Sequence, residues 1–142
     1  MPEFELRVEP LDNNNFALAI CQRQYKKAGE KTTPRTKQIS KIQGQSLLLI
    51  KQVIFDALKA NNYDPKSLSH RRESSFVLTE EFGITLAILF QVIQPISKPD
   101  RITSIARSII SMSYEEINYW FALITNGRSN ALKALRVLLS NE

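Results

Sequence analysis

The sequence has very few of the residues that build metal sites and nucleophilic active sites. Among its 142 residues it holds one cysteine, Cys21, and one histidine, His70. One cysteine cannot form a disulfide within the chain, and this sparing use of cysteine is typical of a reducing compartment. One histidine and one cysteine cannot supply the four ligands of a typical structural zinc site. The sequence therefore predicts no disulfide, no metal site and no bound cofactor.

Glycine and long apolar runs are also scarce. The four glycines are isolated from one another, which excludes a glycine-rich phosphate loop of the Rossmann or P-loop kind. The longest apolar stretch, residues 82–96, is interrupted by polar residues and is too short to cross a bilayer. The first residues do not have the basic-then-apolar pattern of a secretory leader. We therefore expect a cytoplasmic protein with no membrane contact and no evident small-molecule substrate.

Pairs of carboxylates, which could act as general acid and base, occur as Glu80 with Glu81 and as Glu115 with Glu116. Each pair lies in the first turn of a predicted helix, where the helix dipole favours acidic residues. Cys21 lies on a predicted strand, where packing is the simpler role. A metal-dependent nuclease would need an acid in that strand, and residues 19–23 contain none. The sequence thus predicts no catalytic residues, and we expect that the protein is not an enzyme.

Positive charge is concentrated in one segment of the chain. Residues 1–22 carry a net charge of −3, whereas residues 23–41 carry +6, which exceeds the +5 of the whole protein. Strands are predicted on both sides of this segment, and the residues between those strands show no apolar periodicity. We therefore expect these residues to form a long loop or an extension of a twisted hairpin. A loop of this length inside a small domain is usually functional or mobile.

This basic segment predicts contacts with nucleic-acid phosphates. Glutamines and threonines among the cations supply further hydrogen-bond donors for phosphate oxygens, whereas no recognisable motif for base readout accompanies them. A second, smaller group of positively charged residues lies next to His70 in the sequence. The residues predicted to bind nucleic acid are Arg23, Lys26, Lys27, Lys31, Arg35, Lys37, Lys41, Arg71 and Arg72. Two other interpretations remain open at this point, namely a merely solvated loop and a loop that docks on an acidic protein surface.

The N-terminal part of the sequence has the pattern of a β-hairpin. Phe4, Leu6 and Val8 alternate with charged residues, which is the period of a half-buried strand. Residues 10–15 are rich in turn formers, and alternation resumes over residues 16–21. Residues 38–43 could add a third strand. Two strands alone are only marginally stable in water, so this pair needs a third strand or a helix to cover its apolar face.

From residue 44 onward the apolar spacing predicts about five helices. Thr79 should cap a helix that is apolar on nearly all sides, which is typical of the centre of a bundle. Capping boxes are predicted at Ser97 with Asp100 and at Ser113 with Glu116. The second of these opens a helix pair over residues 113–139, with Trp120 in its core, around which we expect the chain to be organised.

The predicted fold class is therefore α+β, with an N-terminal antiparallel hairpin of two or three strands packed on a helical bundle. We expect one domain over residues 1–142, in which residues 1–43 form the hairpin with its basic loop and residues 44–142 form the bundle.

Several runs of residues resemble an uncharacterised bacterial family of small domains of unknown function. They are FVLTEEFGI at 76–84, DRI at 100–102, MSYEE at 112–116, YWFA at 119–122 and ALRVLL at 134–139. The resemblance implies a loose association with DNA-processing or phage-defence gene clusters, but it transfers no activity and no site residue. Together with the basic segment it predicts a non-enzymatic accessory subunit that binds nucleic-acid backbone within a larger complex. The alternative is an adaptor between proteins.

Overall fold

The computed structural model describes residues 3–12, 15–24, 35–65, 74–127 and 130–140. Four strands and five helices lie in these residues, and they confirm the predicted α+β class. The strands are β1 (Glu3–Pro10), β2 (Phe16–Gln24), β3 (Arg35–Ile42) and β4 (Ser74–Leu78). The helices are α1 (Gly44–Ala60), α2 (Glu80–Ile93), α3 (Pro99–Ile110), α4 (Tyr114–Thr125) and α5 (Ala131–Ser140).

The strands form one antiparallel sheet in the order β3-β2-β1-β4. β1 and β2 form the predicted hairpin, with Leu6 opposite Ile20. β3 confirms the third strand that the sequence allowed. The sequence did not predict β4, which pairs with the other side of β1 and places Phe76 opposite Leu6. β1 therefore has a neighbouring strand on each side, which its alternating pattern, a sign of one buried face, does not reveal.

One face of the sheet carries the core. Phe4, Leu6 and Val8 are almost fully buried on this face, as the alternation predicted. Helix α4 reaches the same face, because the ring of its Phe121 packs edge-on against the ring of Phe4, with 6.1 Å between the ring centroids. The glutamates and arginine of β1 alternate with these apolar residues, so they lie on the opposite face. The helices thus cover one face of the sheet. On the opposite face the charged side chains of β1 lie beside Ala17, Ala19 and Cys21 of β2, which are buried.

Helix α2 is the centre of the helical layer. Every residue from 82 to 90 is buried, so the prediction from its apolar pattern is confirmed. Thr79 caps the helix, since its side chain accepts a hydrogen bond of 3.2 Å from the Phe82 amide. Gly83 brings the helix against β1, because a Cβ at this position would lie only 2.5 Å from Phe4 Cγ. α2 packs against the sheet on one side and against α3, α4 and α5 on the other.

Two predictions about the later helices were wrong. Ser97 does not cap α3, because the N-cap is Lys98, which makes no side-chain capping bond, and Pro99 occupies the first turn. The helix pair formed by α4 and α5 is not the organising element, because Ile117 is the buried residue of α4 and Trp120 is only partly buried. The predicted cap at Ser113 is confirmed, since its hydroxyl accepts a 3.3 Å bond from the Glu116 amide.

No helix within the described ranges is long and apolar enough to cross a membrane.

Candidate nucleic-acid interface

The strand register brings part of the basic segment together at one end of the sheet. Gln24 on β2 pairs with Arg35 on β3, and Arg23 pairs with Thr36. Residues 25–34 therefore join two strand ends that lie side by side. The positions of Arg23, Arg35 and Lys37 are close to one another across these two strands, although they are up to fourteen residues apart in sequence. We call this group the hairpin end, and it includes the connecting residues 25–34.

Arg23 is not an unpaired cation at this end. It lies opposite Glu3 of β1 in the register, and its guanidinium is 3.8 Å from the Glu3 carboxylate. Both side chains are a little under half exposed, so solvent screens much of this attraction. Arg23 can therefore exchange its Glu3 partner for a phosphate at a small cost in free energy. Until it does so, Glu3 offsets part of the positive charge that the sequence predicted for this segment.

Lys41 is held more firmly and lies elsewhere. Its ammonium is 2.7 Å from the Glu9 carboxylate, although β2 runs between their two strands. The ion pair crosses β2 near Ala17 and Ala19, which are the register partners of Glu9 and Lys41 and have no exposed surface. Small residues on β2 thus permit a charge pair between β1 and β3. Lys41 also lies six positions from Arg35, about 20 Å along the strand, so it is separated from the hairpin end.

Lys37 fits the predicted role best among the described side chains. It is exposed on β3, which is an edge strand with one neighbour. It makes no ion pair with the residues that the structure describes. The backbone of Arg35 belongs to the same strand, but its side chain is not among those that the structure describes.

The other predicted contact residues, Lys26, Lys27, Lys31, Arg71 and Arg72, lie outside the described residues. Among the described residues, β4 begins at Ser74, which pairs with Val8, whereas the hairpin end lies beside Glu3.

Cys21 and the first-turn glutamates of two helices are the groups within the described ranges that sequence analysis considered for catalysis. Within these ranges no group of three or more histidine, cysteine, aspartate or glutamate side chains could hold a metal ion. Cys21 is buried, and this burial raises the pKa of its thiol, which disfavours the nucleophilic thiolate. The carboxylates of Glu80 and Glu115 are exposed in first helical turns, as the sequence indicated.

The structure also shows a groove that sequence analysis missed. It lies between the β1–β2 turn and the start of α1, with a volume of about 620 Å³, and its apolar lining includes Leu11, Phe16 and Leu48. Leu48 is 63% exposed. The available signal was the run of three leucines at 47–49 that includes Leu48. Successive residues point in different directions around a helix, so a helix with one buried face tends to expose a member of such a run.

Comparison with known proteins gives a family but no activity. A family model described as a domain of unknown function, DUF7680, matches residues 4–141, so the chain belongs to this family. No curated protein and no solved structure matches the chain.

Proposed function

We propose that this protein is a non-enzymatic accessory subunit that binds the nucleic-acid backbone without sequence preference. The observation that supports this is the β2–β3 register, which brings the backbone positions of Arg23, Arg35 and Lys37 together at the base of the segment containing Lys26, Lys27 and Lys31. Because Arg23 pairs with Thr36, Arg23 and Lys37 offer positive charge on opposite faces of the sheet at this end. A hairpin that ends in closely spaced cations suits a phosphate backbone, because such contacts need charge and donors but no base readout.

The context we propose is a bacterial multi-protein system of the defence type, in line with the resemblance noted in the sequence. Within such a complex the chain would supply backbone affinity, while other subunits would supply chemistry and sequence choice. Genes that encode nucleases or helicases beside this gene in many genomes would support this context, and their consistent absence would contradict it.

The number of cations that contact phosphates sets the size of the effect to expect. Among the described cations of residues 23–41, Arg23 and Lys41 have carboxylate partners. We expect about four or five of the seven cations in this segment to contact phosphates and release counterions from the duplex. Affinity should fall with salt, with a slope of log affinity against log salt of about −4 on duplex and a shallower slope on single strands.

A salt titration by fluorescence anisotropy tests the proposal. Replacing Lys26, Lys27 and Lys31 together by glutamine should weaken binding to all sequences alike and flatten the slope by about three. The matched control replaces Lys59, Arg107 and Lys133 by glutamine, since these exposed cations lie on three helices and their loss changes the net charge equally. If both triple variants flatten the slope alike, or if the wild type shows no binding at low salt, the proposal is wrong.

A second candidate function is an adaptor whose basic segment docks on an acidic surface of a partner protein. The observation that favours it is that two cations of this segment already bind carboxylates, at Glu3 and Glu9. Poly-L-glutamate separates the two candidates. The adaptor should bind it at least as tightly as a duplex of equal charge, whereas a nucleic-acid binder should prefer the duplex several-fold.

A further inference from the structure

A second basic surface lies at the far end of α2, where the chain turns into α3. Here a groove of about 260 Å³ is lined by Pro95, Ile96, Ser97, Lys98, Arg101 and Arg136. Three of these six residues are cations, and none is acidic. The cations come from the end of the α2–α3 connection, from α3 and from α5, so the fold assembles the groove from parts that are distant in sequence.

Arg136 is fixed in this groove by the end of α2. Its Nε donates a hydrogen bond of 2.9 Å to the carbonyl of Val92, and its Nη2 donates one of 3.0 Å to the carbonyl of Gln91. These bonds use at least two of its five N–H donors and hold the plane of the guanidinium. Arg136 is therefore a preorganised cation, since little side-chain freedom is left to lose when it binds an anion.

Arg101 lies near enough to act on Arg136 electrostatically. Burial, and then the charge of Arg101, lower the pKa of the Arg136 guanidinium, which nevertheless stays protonated at physiological pH. The two guanidinium groups thus both contribute positive potential to the groove. Lys98 adds a third cation as the N-cap of α3, and the Ser97 hydroxyl adds a neutral donor.

We propose that this groove binds a phosphoryl group in its doubly charged form, as inorganic phosphate or as a phosphate monoester. Guanidinium groups match phosphate oxygens in geometry, and several cations around one groove favour a dianion over a singly charged diester. The inference does not rest on the proposed function, because the groove and the hairpin end share no residue. If either proposal is disproved, the other is unaffected.

Thermal unfolding of the full chain with simple probes tests the site. Sodium phosphate and glycerol phosphate should each raise Tm by several degrees at ten times their Kd, where ligand binding lowers the unfolding constant about elevenfold. Sodium chloride at equal ionic strength and glycerol should not. If the two phosphates bind with equal affinity, the site recognises the phosphoryl group alone. If glycerol phosphate binds more tightly, the site recognises a phosphate ester. If chloride stabilises the protein as much as phosphate does, the proposal is wrong.

Two substitutions locate the site without removing the α2 contact of Arg136. Arg101→Gln and Lys98→Gln should each raise the Kd for phosphate about tenfold, which is the effect of losing one charge-assisted hydrogen bond. Arg107→Gln is the matched control, because Arg107 is an exposed cation on the same helix and is not part of the groove. If Arg101→Gln and Arg107→Gln bind phosphate alike, the groove is not the site.

The pH dependence tests the charge of the ligand. The doubly charged form of a phosphate monoester takes up a proton at about pH 6 and becomes singly charged. Affinity for glycerol phosphate should therefore fall several-fold between pH 7.5 and pH 5, whereas sulfate stays doubly charged and should keep its affinity. Binding of glycerol phosphate that does not change over this range would show that one negative charge suffices, and would overturn the proposal for a dianion.

Discussion

At position 83 the ordinary preference of a helix is reversed by a contact. Gly83→Ala would normally stabilise a helix by about 1 kcal/mol. Here the new Cβ would lie 2.5 Å from Phe4 Cγ and 2.9 Å from Phe4 Cδ1, so α2 would have to move away from β1. We expect a net loss of about 1–3 kcal/mol, which is typical of an overpacked core. Urea unfolding measures it.

Ser104→Ala is the control for this substitution, since Ser104 is exposed within α3. It should be neutral or slightly stabilising. If Gly83→Ala also stabilises the protein, the close packing of α2 on β1 is wrong.

The Cys21 thiol makes stability depend on alkaline pH. Burial raises its pKa, Glu5 and Glu9 act in the same direction, and Arg7 opposes them. Because the folded pKa lies above that of the unfolded chain, which is about 8.5, the thiol's contribution to stability is complete below that pH. It is lost as pH rises above it, since the unfolded state then releases its proton more readily.

Wild type should therefore lose more unfolding free energy than Cys21→Ala between pH 8 and pH 10. Urea unfolding of both proteins at each pH measures the difference, and each protein serves as its own baseline. Equal losses would show that Cys21 does not titrate abnormally. A thiol reagent at pH 8 gives a second readout, since it should label native Cys21 slowly and the urea-unfolded chain rapidly.

At the scale of single elements, the end of α2 depends on a side chain of α5. Arg136→Met keeps the apolar stem but removes both donors to the carbonyls of Gln91 and Val92. We expect a loss of about 1–2 kcal/mol, towards the lower part of the range for hydrogen bonds from charged groups because Arg136 is only partly buried. Lys133→Met, at an exposed position of the same helix, should change stability by less than about 0.5 kcal/mol. Equal effects of the two substitutions would contradict this role.

The elements that sequence predicted well are those with a long, regular apolar period. β1 alternates over three buried residues, and α2 is apolar through three turns. β4 escaped notice because it has five residues, begins with two serines and becomes a strand only where β1 offers an open edge. At α3 the motif at Ser97 and Asp100 suggested a capping box, but Pro99 follows Lys98 directly and the helix begins one residue later than that motif requires.

The candidate sites were harder to predict than the elements, because they depend on register and on packing. Nothing in the sequence relates Lys41 to Glu9, which meet only because two alanines lie between their strands. The basic groove likewise joins Arg101 to Arg136 across a helix packing that no local pattern encodes. The hairpin end was predictable, since it follows from charge density along one continuous segment.

At the scale of the whole molecule, the sheet is not separable from the helices. Phe4, Leu6 and Val8 are buried beneath the helical layer, and β4 on the other side of β1 comes from beyond α1. Residues 1–43 alone should therefore be unfolded. Far-UV circular dichroism of that fragment should show no cooperative melt, while the full chain should show one. A cooperative transition in the fragment would mean that the sheet is stable without its helical cover.

The order of the strands also has a consequence during synthesis on the ribosome. Roughly 80 residues separate β1 from the end of α2, the helix that packs on it. At about 5–20 residues per second, the nascent chain waits about 4–16 s before that cover exists. During this interval the row of Phe4, Leu6 and Val8 is exposed in a partly made polypeptide. Nascent-chain chaperones should therefore bind near β1, and they should leave once α2 has emerged from the exit tunnel.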